Sequence, residues 1–190
     1  MRLAPEALPP RDTGSRTVNV VVETPANTRS KYKYDESLGL FRLYKMLPLG
    51  AAFPFDFGFI PGTRAEDGDP VDALVLTDEP TFTGCVIPVR VLGVLEAEQT
   101  EKGDTIRNDR LIATPETPKI RPTARSLGDL PEKMLAQIEH FFVAYNQAEG
   151  REFVVLRRSG PTVAMRRIEE AIRAHRKPKS RPRGSDGASH

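Results

Sequence analysis

A valine-rich run at Thr17–Glu23 (TVNVVVE) is closed by the turn-prone Thr24-Pro25-Ala26-Asn27, and this pattern predicts a first β-strand. Further strands are expected at Lys31–Tyr34, Leu40–Lys45, Phe53–Ile60, Ala73–Thr77, Val86–Glu98 and Arg110–Thr114. Turn clusters separate them: Ser37–Gly39, Pro48–Gly50, Pro61-Gly62, Asp67–Pro70, Thr83-Gly84 and Lys102–Asp104. Short strands at this spacing point to a closed or nearly closed antiparallel barrel. The texture changes after Asp129-Leu130-Pro131, a helix start with proline in its first turn. Met134, Ile138, Phe141 and Tyr145 then form one helical stripe, ending near Gly150. A strand-like EFVVL follows, and a last helix has Val163, Ile168 and Ile172 among its apolar positions. The class predicted is α+β, a small closed antiparallel β-barrel with helices packed on its outside.

Length and composition narrow this picture. The 190 residues make one domain, and 17 prolines with 14 glycines exclude an all-helical bundle. Cys85 is the single cysteine, so neither an internal disulfide nor a multi-cysteine zinc site can form. No apolar run approaches the ~20 residues that span a bilayer, and a soluble, cytoplasmic protein is expected. The net charge of +2 is unevenly spread. Residues 173–190 carry six basic side chains against the single acid Asp186, which leaves the body at −3. The organisation expected is a loose N-terminal arm (1–16), a barrel domain (17–176) and a disordered basic tail (177–190).

The densest chemistry lies in Asp67-Gly68-Asp69-Pro70-Val71-Asp72, which leads into the apolar run ALVL. Three carboxylates within six residues repel one another unless water or a cation offsets them, and hard divalent cations prefer oxygen ligands. An EF-hand loop is excluded, because its sixth position needs glycine and here holds Asp72. On its own the segment could equally be a solvated acidic turn. Its neighbours decide the matter: VVVETPAN with Glu23, SKYKYD with Lys31, LFRLYKM with Lys45, and FPFDFGFIPGT just ahead of the carboxylates. This ordered series, from about Val18 to Tyr145, resembles the soluble Mg²⁺-dependent inorganic pyrophosphatases, whose signature the DGDPVD segment matches.

The resemblance implies an OB-like barrel that hydrolyses pyrophosphate to two phosphates with Mg²⁺ as cofactor. It implies that Asp67 and Asp72 bind metal, that Asp69 assists deprotonation of the attacking water, and that Glu23 contributes to a further metal. Lys31, Lys45, Arg110 and Tyr145 become phosphate contacts, and Asn108 aligns with a third metal-binding aspartate. Each carries a plainer reading too: Glu23 could end a strand, Lys31 could keep an edge strand soluble, and Tyr145 could be core. The family's oligomers, hexamers in bacteria, imply a homo-oligomer.

Several positions depart from the family pattern. Lys33 replaces a glutamate, Lys45 an arginine, and Arg110 a lysine. Phe53 and Phe57 replace tyrosines, Asp56 an asparagine, and Asn146 a lysine. These changes keep open a second reading, a catalytically weak or silent paralogue that binds a phosphate ligand or a partner. A third reading, an oligonucleotide-binding barrel stacking bases on Phe53–Phe59, is opposed by the neighbouring carboxylates, so no nucleic-acid partner is expected.

Overall fold

The computed structural model describes residues 5–11, 14–117, 119–120 and 123–177. Among the described residues nine strands and two α-helices follow in order, with short 3-10 turns at Pro5–Ala7 and Leu127–Asp129. The strands are β1 (Val18–Thr24), β2 (Ser30–Asp35), β3 (Leu40–Met46), β4 (Asp56–Phe59), β5 (Asp72–Val75), β6 (Val86–Glu101), β7 (Asp104–Arg107), β8 (Arg110–Pro115) and β9 (Glu152–Ser159). The helices are α1 (Glu132–Gln147) and α2 (Pro161–Arg176).

Five strands make a ring, β1-β4-β5-β8-β6, which returns on itself because β6 also pairs with β1. Every valine of β1 is buried, as expected of a strand bonded on both edges. The expected α+β class is present, with one difference inside the barrel. β5 and β8 run parallel, whereas every other pairing in the ring is antiparallel. The chain reverses twice between them, through β6 and back, so their directions must agree. Composition cannot show this, because it is set by long-range order.

The 16-residue β6 is the spine of the sheet. Its start pairs with β1, its middle with β8, and its far half with β7 and β9. It shifts register between Val91 and Gly93, and a Cβ on Gly93 would lie 2.4 Å from the Ser159 carbonyl oxygen. Only glycine lets β9 approach there. Strand β7 falls where only a turn was expected, because its four residues, DTIR, carry little apolar signal. Lys102 (φ 54°) and Gly103 (φ 92°) form the two-residue left-handed turn that pairs it with β6. The separate β2–β3 hairpin stands beside the ring.

Two apolar clusters fill the molecule. One joins Val18, Val20, Val75, Val89 and Leu111 to Ile168 and Ile172 of α2. The other joins Phe53, Phe57, Leu74 and Ile112 to Leu135, Ile138 and Phe142 of α1. The buried seam of α1 is therefore centred beside the expected stripe, leaving Met134, Phe141 and Tyr145 half-buried along its border. That border position is what makes the Tyr145 hydroxyl available to other side chains.

Over its described residues the N-terminal arm meets β1 and α2. Asn19 donates to the carbonyls of Pro9 (3.2 Å) and Pro10 (2.9 Å), and Arg11 pairs with Glu169 of α2 at 2.7 Å. The expected basic tail lies, beyond Lys177, outside the described residues.

Candidate active site

The carboxylate loop connects β4 to β5 and is braced from within. The Thr63 hydroxyl donates to the Ile60 carbonyl (2.6 Å) and accepts the Val71 N–H (3.0 Å), and Ile60 and Val71 share a backbone bond of 2.9 Å. Gly68, at φ 88°, takes the left-handed turn that brings the Asp69 N–H to the Asp67 carboxylate at 3.1 Å. The Arg64 N–H donates to the Ala171 carbonyl at 3.0 Å, fixing the loop against α2. Proline and glycine thus hold three carboxylates on a short stiff segment at the mouth of β5.

These acids face two cavities. One, about 250 Å³, is lined by Asp67, Asp72, Asn108 and Asp109 among others. The second, about 270 Å³, is lined by Glu23, Lys33, Asp69 and Asp72. Asp72 stands in the wall between them. Glu23, one residue before the end of β1, is only 7% exposed, and its carboxylate accepts the Tyr34 N–H at 2.8 Å. Burial pushes the Glu23 carboxyl up to about 7; the charge of Asp72 adds to the rise, while the Tyr34 amide, Lys31 and Lys33 oppose it. Asp67 is raised to about 6, first by burial and then by Asp72, against the pull of the Asp69 amide and Arg110.

The raised carboxyls make a testable difference to stability. Between about pH 4.5 and 7 the folded chain holds a proton on Glu23 that the unfolded chain has released, so stability falls as pH rises through that window. Asp67 acts in the same direction from its ordinary 3.8 up to about 6. Melting temperatures in a chelating buffer should therefore drop across that range, and Glu23→Gln should flatten the slope. An identical slope in the variant would remove Glu23 as its cause.

A cationic side stands opposite. The Lys31 ammonium donates to the Tyr145 hydroxyl at 2.8 Å and lies 5.6 Å from the centre of the Phe57 ring. Lys45 is 4.7 Å from the centre of the Tyr145 ring and pairs with Glu149 at 2.6 Å. Burial alone would push the Tyr145 phenol up, but Lys31 and Lys45 outweigh it and hold the group below its usual value. Arg110, 6% exposed, reaches Asp72 at 2.8 Å, the Asp109 carbonyl at 3.1 Å and the Asn108 side-chain oxygen. Lys31, Lys45 and Tyr145, from β2, β3 and α1, form one contact group, and Arg110 of β8 joins Asp72; the rings of Phe57 and Phe142 lie between Lys31 and Arg110.

Three positions behave differently from a reading of the sequence. Asp56 is fully buried and accepts the N–H groups of Ala26 (2.7 Å) and Thr81 (3.1 Å) and the Thr81 hydroxyl (2.6 Å), which makes it a structural clasp. Asn146 is buried and donates to the Phe142 carbonyl at 2.8 Å, so its side chain serves the helix. Gln99, unremarked in the sequence, accepts from the Asn108 amide at 3.0 Å. Only the register of the β6–β7 turn could have brought it to notice.

Metal fit follows from the donor set. Among the described residues no three acidic, imidazole or thiol side chains already converge as a cage. Asp67 and Asp72 nevertheless share a cavity, repel each other and are hard oxygen donors, and a divalent cation relieves that repulsion.

The comparisons agree with this architecture. The family model described as inorganic pyrophosphatase matches residues 20–176. An inorganic pyrophosphatase of Methanosarcina acetivorans is 37% identical over 159 residues, covering 84% of this chain and 92% of that protein. The crystal structure of the Thermus thermophilus inorganic pyrophosphatase superposes with a TM-score of 0.83 at 33% identity, over 92% of this chain and all of that one. That of Neisseria gonorrhoeae gives 0.80 at 31% identity, over 90% and 97%. An OB-like ring, a carboxylate loop at its mouth and likenesses covering most of the length make this chain a member of the soluble inorganic pyrophosphatase family.

Proposed function

We propose that the chain hydrolyses inorganic pyrophosphate to two phosphates, with Asp69 drawing the proton from the attacking water. What supports this reading is a carboxylate wall at the mouth of β5, with Arg110 paired to Asp72 within it, together with a cationic group of Lys31, Lys45 and Tyr145, whose Lys31 acts on the charge of Glu23. Pyrophosphate is a compact polyanion, and attack on its phosphorus requires its charge to be offset and its position fixed. Lys31 and Tyr145 act as one hydrogen-bonded unit, presenting a cation and a phenol to a phosphate oxygen. Lys45 adds charge from the facing strand of the same hairpin, where Lys31 pairs with Lys45.

Mg²⁺ is the proposed cofactor, held by Asp67 and Asp72 with Glu23 and the amide of Asn108 as further oxygen donors. It supplies Lewis-acid polarisation of a phosphoryl oxygen and a lowered pKa for water. Asp69, 64% exposed and bordering the open cavity, is paired with Lys33 but clear of the barrel's packing, so an attacking water can reach its carboxylate. The burial that raises Glu23 also keeps bulk water from its carboxyl, which strengthens the charge interactions around it.

We further propose residues 17–176 as the catalytic domain, a cytoplasmic location and a homo-oligomer, a hexamer by the family pattern. Among the described residues no helix is long and apolar enough to cross a membrane. Leu40, Tyr44, Met46 and Leu49 are all more than half exposed, on and just after strand β3, a surface suited to a second subunit.

The deciding experiment is phosphate release from pyrophosphate with and without Mg²⁺. Mg²⁺-dependent release is expected. Tight pyrophosphate binding without release would instead favour a silent paralogue that binds phosphate ligands.

A further inference from the structure

We propose that Lys33 and Arg110 are internal cations that take over part of the charge neutralisation within the carboxylate cluster, so that one Mg²⁺ per chain completes it before substrate arrives. This rests on the pyrophosphatase reading above. Two of the three loop carboxylates already hold a basic partner: Lys33 is 3.2 Å from Asp69, and Arg110 is 2.8 Å from Asp72. Asp67 has no bonded basic side chain among the described residues, and its carboxylate accepts the Asp69 N–H.

The neighbouring donors point the same way. Asn108 and Gln99 are neutral, 9% and 8% exposed, and bonded to each other at 3.0 Å. The Gln99 oxygen is taken by the Asn108 amide, and the Asn108 oxygen faces the Arg110 guanidinium. The ion held by Asp67 and Asp72 takes the Asn108 oxygen in place of Arg110, so a second divalent cation would find no free oxygen there and would lie beside a charge that a guanidinium does not lose. The charge count is consistent. The proposed metal and base carboxylates, Glu23, Asp67, Asp69 and Asp72, bring four negative charges when ionised, and Lys33 and Arg110 cancel two. One divalent cation balances the rest, leaving Lys31, whose bonded partner is the neutral Tyr145 hydroxyl, for the substrate.

The test is calorimetric titration of Mg²⁺ into the metal-free full chain without pyrophosphate, checked by equilibrium dialysis, with phosphate release measured separately. Wild type is expected to bind one ion per chain. Lys33→Glu combined with Asn108→Asp should raise the count to two, and Lys33→Arg should leave it at one. Two or more ions on wild type would overturn the proposal, as would a count of one on a double variant whose melting curve shows it folded. Should the double variant fail to fold, the wild-type count decides. One ion with no phosphate release would sink the pyrophosphatase reading and leave the charge inference standing. Rapid release with two ions would do the reverse.

Discussion

Asp69→Asn is expected to lower phosphate release by about 10²–10⁴-fold, the scale for removing a positioned general base. The amide keeps the size and the loop geometry of the carboxylate but cannot accept the water's proton. Its backbone should stay in place, because the Asp69 N–H bonds to Asp67 and its carbonyl accepts the Ala65 N–H at 2.8 Å. Mg²⁺ affinity should change little, since Asp67 and Asp72 are untouched. The substitution also releases Lys33 from its 3.2 Å pair, so pyrophosphate should bind as well or more tightly while turnover collapses. The measurement is kcat and KM for pyrophosphate at saturating Mg²⁺, with a melting curve as control. Turnover within a few-fold of wild type would remove Asp69 as the base. A weakened Mg²⁺ titration with the same loss would make it a metal ligand instead.

Legibility from sequence followed how local each signal was. The Asp67–Asp72 loop could be read directly because its turn chemistry, its spacing and the strand it feeds all lie within ten residues. Lys31, Lys45, Arg110 and Tyr145 could be gathered only through family likeness, since the barrel alone brings their four elements together. Gln99 escaped because its meaning depends on pairing with Asn108 across the β6–β7 hairpin, and no periodicity marks a buried amide pair. Asn146 stands where the family has a lysine, and its side chain is turned into the helix, bonded to the Phe142 carbonyl, which no sequence pattern marks. Lys33 was the ambiguous departure, and its pairing with Asp69 turns a lost glutamate into a gained charge.

The second large effect concerns stability and lies on the spine of the sheet. Glu96 of β6 has a fully buried side chain, yet it accepts bonds from Arg107 of β7, Arg157 (2.7 Å) and Ser159 of β9, and Arg167 (3.2 Å) of α2. One carboxylate therefore fastens three elements to β6. Three guanidiniums converge on it, with Asp109 sharing only Arg107 and Arg167. Glu96→Gln keeps the shape but leaves those cations short of a counter-charge. Breaking a buried ion pair from one side costs about 3–5 kcal/mol. The lower end applies here, because Arg157 is 69% exposed and water can take over part of its solvation. At about 2–4 °C per kcal/mol for a chain of this size, the melting temperature should fall by roughly 6–12 °C. The bonds from Arg157, which outweigh the cost of burial, hold the Glu96 carboxyl well below its ordinary 4.5, helped by Ser159, Arg107 and Arg167. A depressed carboxylate stabilises fully above its unfolded value and loses that contribution only as pH falls through the folded one. The gap between wild type and variant should hold from neutral pH down to about 4.5, then close at more acid pH. Equal melting temperatures at pH 7 would show that the arginines find other partners and that Glu96 is not the fastening point.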